Sequence, residues 1–247
     1  MQMVLNRNGD FMEAIRINKY LSEAGVLSRR KADEAIARGE VLVNGKLPEP
    51  GTKVSLEDEV TYLGKVVRPA EDKVVLAYYK PIGLICTSAE SDPNSIFRKL
   101  NYPKRLIYVG RLDQASQGLL LLTNDGELSN QIQKARNGHE KEYVVRVDKP
   151  ITDEFVSQAS KGGLSFEDLG ERKTKPCKII KQGSQSFRII LTEGINREIR
   201  RICEYYGYRV TYLKRIRVMN INLGELQPGE YRELTNKEIE ELKKSIR

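Results

Sequence analysis

The stretch GRLDQASQGLLLLTNDG, residues 110–126, is where the chain is most readable. Leu119 to Leu122 form an unbroken apolar run, the pattern of a strand buried on both faces. The polar loop RLDQASQ leads into it. With 111–113 extended, Arg111 and Asp113 project to the same side. A guanidinium beside a carboxylate favours the ionised form, the state a nucleophile requires. Taken alone, an Arg-x-Asp pair is more often a structural ion pair.

Outward from this segment, short strands and helices mix without a regular βα repeat. Strands are predicted at 74–80, 85–88, 106–110, 119–123, 141–148, 177–181, 186–193 and 208–223. Helices are predicted at 126–136, 152–161, 197–206 and 235–245, where Ile199, Ile202 and Tyr206 form a core-facing stripe. The fold class is α+β, with a mixed, largely antiparallel sheet and flanking helices. Upstream, 63–72 lacks periodicity and contains Gly64 and Pro69, so it is predicted as a linker. It divides a small, mainly helical unit at 14–62 from a larger one at 73–247.

Lys and Arg number 42 against 34 Asp and Glu, for a net charge of +8 in 247 residues. That balance favours a polyanionic partner through phosphate neutralisation. No apolar stretch approaches the roughly 20 residues that span a bilayer. The first residues, MQMVLNRNGD, hold no apolar signal core, so the expected location is the cytoplasm and no membrane partner is expected. Cys86, Cys177 and Cys203 lie far apart in no CxxC spacing, and His139 is the single histidine. Neither a metal site nor a disulfide framework is expected, and no cofactor is implied. His139 reads as a structural or RNA-contact residue. Carboxylates, Tyr, Arg and Lys are left to carry any chemistry.

In the small unit, Ile17, Tyr20 and Leu21 mark a helix over Arg16–Ala24, closed by Gly25. Ser28 is placed as the N-cap of a second helix with Ala32 and Ile36 on one face, followed by a strand into an Asn44-Gly45 turn. Arg29, Arg30 and Lys31 fill the second helix's first turn, against the helix dipole, at about 0.3–1 kcal/mol per charge. A phosphate arriving there would meet both the side chains and the free N–H groups. Arg16 and Lys19 on the first helix, and Asn44 and Lys46 after the second, complete the expected RNA-binding set. The pattern RINKYLSEAGVLSRRKADEAIARGEVLVNGK, residues 16–46, resembles the S4 RNA-binding domain.

GRLD followed by QASQGLLLLTNDG resembles the central motif of the pseudouridine synthases of the RsuA type. Three further matches follow in the family's order: LAYYKPIGLICTS (76–88), HEKEYVVRVDKPIT (139–152) and LTEGINREIRRICEYYGYRVTYLKRIRV (191–218). Within that family the pattern is most similar to the F-type large-subunit rRNA synthases. The resemblance implies Asp113 as nucleophile, Tyr143 against the target base, and Arg200 paired with the catalytic carboxylate. It implies Arg111 as the side chain that fills the vacated space or holds a neighbouring phosphate, and Lys80 as a fold or RNA-contact residue. Glu198 stands where Gln is usual and would place a negative charge near the RNA.

The implied reaction breaks the N1–C1′ bond of a uridine, turns the uracil and rejoins it through C5, with no cofactor. Attack at the ribose, attack at the base and a ribose glycal route all stay open. The base must leave the stack to react. Large-subunit ribosomal RNA is the expected partner, with transfer RNA as a further substrate, and the protein is expected to be a monomer. Residues 197–217 carry seven basic side chains against two acidic ones. Arg201, Arg215 and Arg217 are accordingly expected on a surface that grips RNA backbone. A non-catalytic assembly factor and a base–sugar hydrolase are the competing readings. The latter commonly needs paired carboxylates, and only Asp113 lies in a motif.

Overall fold

The computed structural model describes residues 3–5, 11–69, 72–89, 91–134 and 138–246, with backbone alone at 3–5, 11–13 and 169. The chain divides into two compact units: residues up to Lys73 with Tyr102–Leu106, and Val74–Asn101 with Ile107 onward. Among the described residues no helix is long and apolar enough to cross a membrane.

In the small unit, β1 (Met3–Leu5) pairs with β2 (Phe11–Glu13), and β3 (Ile15–Arg16) leads into α1 (Ile17–Glu23). The helix buries Ile17, Tyr20 and Leu21, the side chains whose spacing predicts it. The hydroxyl of Ser28 accepts from the Lys31 amide at 3.2 Å and caps α2 (Arg29–Ala37). That helix buries Ala32 and Ala35, while Ile36 packs at the edge of the same core. After β4 (Val41–Val43), Asn44 and Gly45 take φ of 50° and 77°, the left-handed pair of a type I′ turn. β5 (Lys53–Val54) pairs with β3, and β6 (Val60–Tyr62) pairs with β4.

The predicted linker needs correction. Residues Lys65–Val67 form β7, which pairs with β6 across a turn in which Leu63 and Gly64 have φ of 49° and 74°. The glycine read as a break is a hairpin residue, because a two-residue turn needs positive φ at both positions. Residues 70 and 71 of that stretch lie outside the described residues.

The large unit runs β8 (Val75–Lys80), α3 (Ile96–Lys99), β9 (Ile107–Val109), β10 (Gln117–Thr123), α4 (Gly126–Gln133), β11 (Lys141–Val147) and α5 (Asp153–Ser160). It continues with β12 (Lys178–Gly183), β13 (Ser186–Leu191), α6 (Glu198–Tyr205), β14 (Val210–Val218), β15 (Ile221–Asn222), β16 (Tyr231–Glu233) and α7 (Asn236–Ser245). The strands form one sheet in the order β12-β13-β11-β14-β10-β8-β16, with β15 on β14 and β9 on β10. Among the described strands of this sheet, β10 and β14 pair in parallel and the other pairs are antiparallel. The expected α+β class with a mixed, mostly antiparallel sheet is what the chain adopts.

The Leu119–Leu122 run is wholly buried because both faces of the sheet are covered. Leu119 and Leu121 pack with Leu128 of α4 and Leu242 of α7 in one core. A second core joins Phe155 of α5 and Ile199, Ile202 and Cys203 of α6 to Val145 and Phe187. Where β10 meets β14, Gly118 has φ of 108°, and a Cβ there would sit 2.2 Å from the backbone oxygen of Arg215. Only glycine permits that approach.

Two predicted elements differ. Residues 85–88 make no strand but a single bridge from Ile85 to Ser95, because the Ile85 amide and carbonyl are taken by Asn94 and Ile96. The predicted strand at 208–223 divides into β14 and β15, which fold against each other at Met219, with φ of 52°. Helix α4 ends at Gln133, and residues 135 and 136 of the predicted helix lie outside the described residues.

Candidate active site

The loop between β9 and β10 carries Asp113, and the bonds made by its backbone explain its position. Five successive carbonyls, from Leu112 to Ser116, each accept a hydrogen bond. The donors are the Cys86 thiol at 3.5 Å, the Ser116 amide at 3.0 Å, the Gly83 amide at 2.9 Å, Arg200 Nη2 at 3.0 Å and Lys80 Nζ at 2.9 Å. Three of these come from the end of β8 and the segment that follows it, where KPIG turns back along the loop. A loop so fully bonded holds its side chains in one geometry, as a reacting group requires.

Asp113 is half-buried on the wall of a cavity of about 480 Å³ within the large unit, a size in the usual range of ligand pockets, about 300–1,000 Å³. Tyr143 of β11 lines the same cavity, its backbone paired with Ile189 and Arg215 of the flanking strands. Arg111 is exposed and also lines it. Thus Asp113, Tyr143 and Arg111 are brought together as the sequence predicts.

Arg200 is arranged differently from expectation. Neither it nor Arg111 closes an ion pair with Asp113 among the described residues. Its guanidinium donates instead to Ala115 O, to Ser116 Oγ at 3.4 Å and to Val210 O at 3.3 Å. Burial, and then the charge of Arg197, lower its pKa, while the charge of Asp113 acts through space to raise it. A guanidinium drawn into the loop satisfies carbonyls that would otherwise be orphaned.

Four expected RNA contacts are engaged within the protein. Lys80 is 0% exposed, with Nζ held by the carbonyls of Pro81 and Ser116, so it braces the loop and cannot reach RNA. Desolvation lowers its pKa. Arg215 is 3% exposed, its Nε donates to Leu119 O at 2.6 Å, and it lines the cavity rather than an outer face. Arg217 is neutralised by Glu142 at 2.9 Å and Glu140 at 2.8 Å. Arg201 pairs with Asp168 and lies over the Phe166 ring. The expected positive strand face is therefore largely buried or charge-compensated, because carboxylates of β11 and its approach meet it from the side.

In the small unit, Arg16, Arg29, Arg30, Lys31 and Lys46 are exposed, and no acidic residue shares the first turn of α2. Lys19 is partly exposed beside Glu23 at 3.6 Å. Asn44 is exposed, but its side chain bonds Asp58 at 2.8 Å and the Glu59 amide at 3.0 Å, which shapes the turn. His139 is buried, bonds Ile132 O through Nδ1 at 2.8 Å and lines the cavity.

Glu193, Arg172 and Lys141, which sequence reasoning missed, also line the cavity, as does Arg197, one of the basic side chains counted in 197–217. The buried carboxyls of Glu193 and Glu198 lie together on this wall and influence each other's ionisation. Burial, followed by the neighbouring Glu193, pushes the Glu198 carboxyl up to about 8. Both causes favour the neutral form of Glu198, against the negative charge that the sequence alone suggests there. The backbone signal for Arg197, a non-glycine residue with φ of 52° before α6, is visible only in three dimensions.

A carboxylate on a braced loop, an aromatic residue and several arginines line one cavity, an arrangement suited to an enzyme that acts on a nucleotide. Residues 74–205 match the RNA pseudouridylate synthase model and residues 15–60 the S4 domain. The chain belongs to the RNA pseudouridylate synthase family, isomerases that act on RNA, and carries an S4 domain ahead of the matched catalytic region. It is 46% identical over 235 residues to the dual-specificity RNA pseudouridine synthase RluF of Escherichia coli (strain K12), covering 94% of this chain and 80% of that protein. It is 38% identical over 239 residues to an uncharacterized RNA pseudouridine synthase of Aquifex aeolicus (strain VF5), covering 94% and 98%. The crystal structure of a pseudouridylate synthase superposes with a TM-score of 0.68 at 30% identity, covering 92% of this chain and 99% of that one.

Proposed function

We propose that this chain converts a specific uridine of large-subunit ribosomal RNA to pseudouridine, with Asp113 as nucleophile toward a base turned out into the cavity. Transfer RNA is a second substrate class, in keeping with the dual specificity in the name of the RluF relatives. The observation that carries the reading is the placement of Asp113 on a loop whose carbonyls from 112 to 116 are all bonded, with Tyr143 lining the same cavity.

Tyr143 lies against the uracil and assists removal of the C5 proton. Arg111 fills the space the base vacates or holds the adjoining phosphate. Arg200 orients Asp113 through the loop backbone rather than by a direct ion pair. Residues 14–62 act as the RNA-binding domain, through Arg16, Arg29, Arg30, Lys31 and Lys46, and 73–247 as the catalytic domain. The enzyme works as a monomer in the cytoplasm, where its RNA substrates are made.

The test is to map pseudouridine in ribosomal and transfer RNA from cells lacking the protein, then to complement them. Wild type restores a missing site, whereas Asp113→Ala and Asp113→Asn do not, although both bind RNA. Rescue by Asp113→Asn would remove Asp113 as nucleophile, and an unchanged map on deletion would favour an assembly factor.

A further inference from the structure

Two acidic side chains meet on the cavity wall where the chain enters α6. Glu193 is 2% exposed and Glu198 is 4% exposed. Glu193 is well supplied with donors: Arg172 Nη2 reaches Oε2 at 2.7 Å and the Lys175 amide reaches Oε1 at 2.5 Å. Glu198 is not. Its Oε2 accepts from the Ile195 amide at 3.2 Å, but its Oε1 is buried and meets no donor among the described residues. A buried carboxylate oxygen without a donor is costly, whereas a protonated carboxyl is itself a donor. Two carboxyls in contact favour sharing one proton. Glu193 holds a charged donor, Arg172, which favours the proton on Glu198.

The surrounding charges agree with this division. From the 170–177 segment come Arg172, bonded to Glu193, and the Cys177 thiol, which burial pushes up to about 12. From β11, Lys141 Nζ donates to the carbonyls of His139 at 3.2 Å and Glu193 at 3.5 Å, and Arg215 of β14 acts on it through space. Arg197 and Arg200 flank Glu198 on its own helix. The Ile195 amide donating to Glu198 closes the turn into α6, and the segment 193–198 supplies Ile195, Asn196 and Arg197 to the cavity.

We propose that Glu198 serves as a neutral carboxylic acid, donating to Glu193 and so fixing the 193–197 segment, and that its ionisation releases this wall and slows catalysis. Glu198 is a positioning residue, because it acts through the backbone it holds. The kinetic part of this inference rests on the pseudouridine-forming reading of the cavity.

Because burial and Glu193 raise the Glu198 carboxyl to about 8, single-turnover kcat of the wild type should fall about tenfold between pH 7 and pH 9, one unit either side of that value. KM should change much less. Glu198→Gln keeps a donor toward Glu193 and cannot ionise. It should react within about twofold of wild type at pH 7 and lose most of the alkaline fall. A flat wild-type profile, the same fall in the variant, or a Gln variant as inactive as Asp113→Ala would overturn the proposal. In parallel, carbon-13 NMR of the glutamate carboxyls of the free protein should show one titration near 8 that is absent from Glu198→Gln. A Glu198 titration in the ordinary glutamate range overturns the proposal as well. That measurement needs no RNA, so if no pseudouridine forms, the functional reading fails while the protonation of Glu198 is still decided.

Discussion

Lys80 holds its buried ammonium 2.9 Å from the carbonyl oxygen of Ser116, at the far end of the loop that carries Asp113. From the other side Arg200 holds the neighbouring carbonyl of Ala115 at 3.0 Å. Two cations thus fix the backbone beside the candidate nucleophile without forming an ion pair with it.

Replacing Lys80 by Met removes the donor to both Ser116 and Pro81 and leaves buried carbonyls unpaired, at a cost of about 1–3 kcal/mol. The expected result is a lower melting temperature and a kcat reduced at least about tenfold, with RNA affinity little changed because Lys80 has no exposed surface. Thermal denaturation, single-turnover rates and filter binding measure the three quantities. Weakened RNA binding with an intact rate would return Lys80 to the role of an RNA contact.

Reversing Arg29, Arg30 and Lys31 to Glu places acidic groups where the dipole of α2 favours them, so the helix itself should not be weakened. RNA binding should weaken at least about tenfold, and the dependence of log Kd on log salt should become shallower by about one for each phosphate that the helix no longer neutralises. The single-turnover rate at saturating RNA should stay within about twofold. A matching fall in that rate would contradict the separation of binding from chemistry.

Glu238 closes a capping box with Thr235 at the start of α7 and accepts two bonds from Arg232, at 2.7 Å and 2.9 Å. The bond from Arg232 is the main cause that lowers its carboxyl to about 2. The folded state therefore prefers the ionised form. The stabilisation is whole above the ordinary glutamate value, about 4.5, and is lost as pH falls through about 2. Partial exposure of the pair limits it to about 1 kcal/mol. Glu238→Gln should melt below wild type at pH 6, and the gap should narrow steadily toward pH 2. A constant gap would show that the capping geometry, not the charge, supplies the stability.

Much of the fold was legible because its signals are local. The Leu119–Leu122 run, the Ile17–Tyr20–Leu21 spacing and the Ser28 cap each need only near neighbours, and each forms as read. Asp113, Tyr143 and Arg111 were legible as an ordered set of motifs, and they line one cavity. The charged residues were harder. Lys80 and Arg215 look from their sequence like surface cations, but they lie on strands that neighbours cover on both sides. A lysine's burial and the identity of its acceptors are set by chain segments far away in sequence.

The sequence by itself determined the main helices and the long strands of the sheet, a small unit with a basic helix start ahead of a larger α+β unit, and Asp113 as the candidate nucleophile. Periodicity, capping and turn residues act over a few positions, so composition and spacing carry them. Only the tertiary structure decided which cations face solvent, that Arg200 grips the Asp113 loop by the Ala115 carbonyl and the Ser116 hydroxyl, and that Glu198 and Glu193 are buried together. Those outcomes depend on desolvation and on partners brought together across the sheet, and neither is present until the chain has folded.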